Sequence, residues 1–184
     1  MRHLFMAAAA GLALTAPSLA QDDLRTAISA DWDNHLQSLY EHFHENPELS
    51  FMETETAARL AQELRDAGFE VTEGVGRTGV VAVMENGEGP TIMLRADMDG
   101  LPVREDTPVD YASEVMGEDR MGNTFPVMHA CAHDTHMTSL VAAARYMSQN
   151  RDDWSGTLVL IGQPAEEVGL GALAMLSDGL YERF

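Results

Sequence analysis

The sequence predicts an α/β layered domain in which a mixed sheet is flanked by helices. Three observations carry that prediction. Apolar residues recur at helical spacing from Asp23 to about His44: Leu24, Ile28, Trp32, Leu36, Leu39, Tyr40 and Phe43. The period then shortens into β-rich runs, Phe69 to Thr72, Thr78 to Met84 and Thr91 to Arg95. Later, Gly156 to Gly162 forms a continuous apolar run between helical segments, as a strand in the middle of a doubly covered sheet should. Helices that alternate with strands in this way imply layers.

The elements follow in order. Glu45-Asn46-Pro47-Glu48 ends the first helix, because proline cannot continue it. A second helix spans about Met52 to Ala67, with Ala58, Leu60, Ala61 and Leu64 inward and Gly68 as its stop. Asn86-Gly87, between two β runs, reads as a hairpin-type connection. Asp97 to about Val127 shows no period, and a loop of that length is usually functional. A helix from about Thr135 to Gln149 buries Leu140, Val141, Ala144 and Met147, with Asp134 as its cap. A last helix starts near Pro164 to Glu167. There is no internal repeat, low-complexity tract or interdomain linker, so residues 21–184 read as one domain.

Residues 1–20 are different in kind. A short polar start precedes an apolar run from Leu4 to Ala16, and Ser18-Leu19-Ala20 offers small residues where a signal peptidase reads. The run is shorter than the roughly 20 residues a spanning helix needs. The expectation is a signal peptide cleaved after Ala20 and a periplasmic or secreted product, off the membrane once cleaved. The net charge is −19, and every basic residue other than histidine is an arginine. Such a chain repels nucleic acid and anionic lipid. Cys131 is the single cysteine, so there is no internal disulfide.

The chemistry concentrates in two short stretches. Met128 to His136 holds Cys131 with His129, His133 and His136; Gly162 to Glu167 ends in two adjacent carboxylates. Thiolate, imidazole and carboxylate together suit a zinc-type ion. In an extended segment Cys131 and His133 would face the same way. A buried thiol that only packs is the alternative for Cys131. Glu166 and Glu167, placed at a helix start, would point about 100° apart and take different jobs, one binding metal and one handling a proton. Acids favoured by the helix dipole are the alternative there. Asp97 and Asp99 follow a strand, where α/β sites sit. His129 and His136 taken singly read as ordinary polar residues. His35, His42 and His44 read as surface or packing residues.

Arg95 to Pro102, Met128 to Asp134 and Gly162 to Glu167, with His44 to Phe51 near the start, resemble the M20 metallopeptidase superfamily. The likeness is nearer to its amidohydrolase branch, which includes hippurate hydrolases and N-acyl-amino-acid amidohydrolases. Ala132 stands where that family more usually has glycine. The resemblance implies a zinc-peptidase-like catalytic domain with two divalent ions, zinc, manganese or cobalt. It implies Cys131, His133 and Glu167 as metal ligands and Glu166 as the general base. Asp99 would be the supporting catalytic aspartate, with Asp97 beside it. The implied substrate is a small N-acyl amino acid or peptide, cleaved at its amide bond. The family continues past the position of Phe184 with two further histidine ligands and a lid and dimerisation domain. On the resemblance, the chain is expected to be the N-terminal part of such a protein and inactive alone. Two other readings keep the motifs without the reaction: a non-catalytic metal-binding protein, and an exported structural domain.

Overall fold

The computed structural model describes residues 18–184, with side chains from Asp23 onward. The expected signal segment lies outside the described residues, apart from the backbone of residues 18–20. Helix α1 (Ser18–Asp31) runs through one π turn, Trp32–Leu36, into α2 (Gln37–Glu45). The single helix expected from Asp23 to His44 is therefore present, with one wide turn. Helix α3 (Thr54–Asp66) follows and ends at Gly68, whose φ of 89° suits glycine.

Strands β1 (Glu70–Val75), β2 (Gly79–Asn86), β3 (Thr91–Asp97) and β6 (Gly156–Gln163) form one sheet in the order β1-β2-β6-β3. Two short strands, β4 (Met116–Glu118) and β5 (Thr124–Pro126), pair apart from it. Helix α4 (His133–Gln149) crosses from β3 to β6, and α5 (Gly171–Ser177) and α6 (Leu180–Arg183) close the chain. The sheet is mixed, because β6 runs antiparallel to β2 and parallel to β3.

The expected hairpin at Asn86-Gly87 does not form. β6 is inserted between β2 and β3. Its residues are buried on both faces, so the centre is where it hides the most apolar surface. Reaching β3 in parallel then requires a long crossover, which α4 supplies.

Alternation along the strands sends residues to two cores. Val80, Ala82, Leu158 and Leu160 meet Leu39, Phe43, Leu60 and Val141 from α2, α3 and α4. Val81, Val159 and Ile161 meet Met175 and Leu180 from α5 and α6. The result is a sheet between two helical layers. As the edge strand, β3 leaves Ile92 53% exposed, and α5 leaves Leu173 61% exposed.

The register decides where the site falls. Asp97 and Gln163 end β3 and β6 as partners in the parallel pair. The chain leaves both strands at the same edge, and Met98 N–H donates to the Gln163 carbonyl at 3.0 Å. Two loops are thereby brought side by side at the carboxyl ends of the strands.

Candidate metal centre

His133 opens α4, and its ring is 4% exposed. Nδ1 lies 2.7 Å from the backbone carbonyl of Asp99. A carbonyl only accepts, so Nδ1 carries a proton, and in the neutral ring Nε2 presents its lone pair. Nε2 faces Asp97 Oδ1 at 3.5 Å and one oxygen each of Glu166 and Glu167 at 3.8 Å. Burial pushes the His133 pKa down, but the Asp99 and Asp97 carboxylates more than reverse this and hold it up.

The approach to His133 is not the extended segment the spacing suggested. Ala132 adopts φ 62°, ψ 31°, the left-handed region, and this residue turns the chain into α4. Glycine would fit that conformation without strain. Asp134 is not the cap either; it lies within the first turn, bonding the Thr135 N–H at 2.7 Å and His44 Nδ1 at 2.6 Å. Cys131 is exposed beside Glu167, and that carboxylate pushes its thiol pKa up.

Glu166 and Glu167 are not at a helix start. They open a turn closed by Gly169 N–H on the Glu166 carbonyl at 2.8 Å, and α5 begins only at Gly171. The helix dipole therefore does not explain them. Asp99 does, for its Oδ1 accepts the Glu166 N–H at 3.0 Å and its Oδ2 accepts the Glu167 N–H at 3.1 Å. Ser50 donates a further bond at 2.5 Å. Burial opposes ionisation of Asp99, yet these donors and His133 keep its pKa below the ordinary value.

Asp97 is held by Arg95 at 3.2 Å and His136 at 2.6 Å. Asp97, His133 and His136 form one compact donor group, and His133, Glu166 and Glu167 form another. His136 follows His133 by three positions, so both lie on one helix face, a signal the sequence did carry. His44 is different: its partners Glu105 and Asp134 are 61 and 90 residues away, and nothing local announces them. His129 is buried with neither ring nitrogen hydrogen-bonded, and burial lowers its pKa to about 4.

The donors fit a divalent ion. Glu167 Oε1 is buried without a hydrogen-bond partner while it faces the free Nε2 of His133. Nitrogen and oxygen ligands about 2 Å from a tetrahedral ion stand roughly 3.4 Å apart, near the spacing found here. Beside them opens a cavity of about 650 Å³, lined by Leu49, Leu101, Met121, Phe125, Arg120 and Glu167 among others. The strand pair β4–β5 supplies part of its wall, within the stretch that showed no period.

A layered α/β sheet with imidazole, thiol and paired carboxylates at its carboxyl edge defines a metallohydrolase-type centre. The sequence pattern of peptidase family M20/M25/M40 matches residues 93–184. The chain belongs to that family. It is 46% identical over 156 residues to a hippurate hydrolase of Campylobacter jejuni, covering 84% of this chain and 38% of the relative. It is 39% identical over 148 residues to an N-acetyl-L-cysteine deacetylase of Bacillus subtilis, covering 80% and 33%. Among solved structures, an aminohydrolase assigned in methicillin-resistant Staphylococcus aureus superposes with a TM-score of 0.77 at 32% identity, covering 88% of this chain and 39% of that one. A dinuclear metal-binding M20 peptidase of Bacillus subtilis gives 0.72 at 34%, covering 86% and 41%.

Proposed function

We propose that this site hydrolyses the amide bond of N-acyl amino acids or small peptides with two divalent ions, zinc, manganese or cobalt. The chain spans about two fifths of the length of the first relatives it matches, so activity and substrate are inferences for this chain. The observation that carries the reading is the unpartnered, buried Glu167 Oε1 facing His133 Nε2. His133, Glu167 and Cys131 would hold metal. Bound ions would polarise the amide carbonyl and lower the pKa of the attacking water.

The chain's own residues would do the rest. Glu166, with 40% of its side chain exposed against 14% for Glu167, is the more accessible carboxylate. Its carboxylate would take a proton from water and return it to the leaving nitrogen. Asp99 fixes the turn and His133 at once, which holds base and ligand in register. The cavity beside Glu167 is of a size and apolar character to take an acyl group. Export to the periplasm or beyond is part of the proposal and rests on residues 1–20. N-terminal sequencing should find Gln21 first.

The test is a chimera. Residues 21–184 replace the matching segment of a full-length hippurate hydrolase, and turnover of N-acetyl and N-benzoyl amino acids is measured. The chimera should be active with added metal and lose activity on Glu166→Gln. A folded, metal-loaded chimera in which Glu166→Gln turns over at the parent rate would refute the assignment.

A further inference from the structure

Glu53 is buried completely, at 0% exposed, and the mechanism does not use it. Its partners are neutral. Oε1 accepts the Ala165 N–H at 2.8 Å, and Oε2 accepts the Thr78 hydroxyl at 2.5 Å. Burial raises its pKa, against the opposing pull of these bonds. A buried carboxylate is costly to keep unless something needs its two acceptors.

What needs them is the turn. Ala165 sits at φ 47°, a conformation L side chains avoid, and directly precedes Glu166 and Glu167. Its carbonyl accepts from Leu170 N–H at 3.3 Å and Gly171 N–H at 3.1 Å. Its N–H is the group Glu53 holds. Three successive amides, those of residues 165, 166 and 167, are thus fixed by two buried carboxylates, the first by Glu53 and the next two by Asp99. The two approach from different segments, Glu53 from the start of α3 and Asp99 from the end of β3.

We propose that Glu53 is a positioning residue that sets the strained Ala165 turn and thereby aims Glu166 and Glu167 at the site. Its effect on metal rests on reading Glu167 as a ligand; its effect on the turn does not. Glutamine can still accept from Ala165 and donate to Thr78, whereas leucine fills similar space with neither group.

The experiment compares Glu53→Gln and Glu53→Leu with the wild-type chain in two readouts. Amide hydrogen exchange at Glu166 and Glu167 reports the turn, with Val159 and Leu160 of β6 as the internal control. Competition with a chelator reports zinc affinity. Glu53→Leu should speed exchange at 166 and 167 while 159 and 160 stay protected, and should lose about 10- to 100-fold in zinc affinity. Glu53→Gln should stay within about 3-fold of wild type in both. If Glu53→Leu does not fold, Thr78→Val removes one of the two bonds and should shift both readouts in the same direction by less. Unchanged exchange at 166 and 167 in a folded Glu53→Leu, or in Thr78→Val where that variant stands in for it, overturns the proposal. A wild-type chain that binds no zinc refutes the ligand reading and the metal half of the proposal, while the exchange result still decides the positioning role.

Discussion

The carboxylate of Asp99 accepts the backbone N–H of Glu167 at 3.1 Å, and it holds neighbouring Glu166 in the same way. Asp99 therefore acts on the turn's backbone. Asp99→Ala removes both acceptors and leaves two amides short of a partner. It should cost about 10- to 100-fold in metal affinity, as loss of a supporting partner does. Chelator competition checks this, and affinity within 3-fold of wild type would contradict it.

Ala132 carries strain that glycine would relieve. At φ 62° a Cβ crowds the following carbonyl, by about 1–2 kcal/mol. Glycine loses about 0.5–1 kcal/mol of this gain through its freer unfolded chain. Ala132→Gly should accordingly raise unfolding stability by about 0.5–1 kcal/mol. Urea denaturation measures it, and a destabilised variant would count against the described turn.

The buried His44 cluster predicts a pH profile. Burial pushes the His44 pKa down, but Glu105 and Asp134 outweigh it and hold the value above 6.5. A group raised on folding stabilises fully below its unfolded value and loses that contribution as pH rises through the folded one. Burial likewise pushes Glu105 up, but the Thr107 hydroxyl, the Ser113 N–H and His44 bring it below 4.5. Its contribution is present above that value and fades as pH falls through the folded one. Tyr40, raised to about 12 mainly by burial, stays neutral throughout, and His129, lowered to about 4, is mostly neutral. Tyr111 packs edge-on against the imidazole. The stability difference between wild type and His44→Gln, without added metal, should be greatest between about pH 4.5 and 6.5 and shrink above neutrality. Thermal melts across that range test it; a difference that grows with pH would show the wrong sign.

Periodicity made most of the fold legible. Leu36, Leu39 and Phe43 mark one helical face, and Leu158 to Ile161 mark a central strand. It did not reveal strand neighbours, because Asn86-Gly87 is locally compatible with a hairpin that the burial of β6 overrides. The site residues were legible by type, since Cys131, His133, Glu166 and Glu167 announce their chemistry in two short stretches. Their local geometry was not. The non-helical turn at Glu166 depends on contacts to Asp99 and Glu53, 67 and 112 residues away from their partners. His44 and the β4–β5 cavity wall were hidden for the same reason.

The central proposal is that Cys131, His133 and Glu167 hold the metal of this site, and cobalt titration tests it most directly. A coordinated thiolate gives a charge-transfer band and is shielded from alkylation. The wild-type chain should show both, Cys131→Ser should lose the band, and His133→Ala and Glu167→Gln should weaken cobalt binding by more than 10-fold. Cobalt binding with no thiolate band, and with equal affinity in all three variants, would contradict the account.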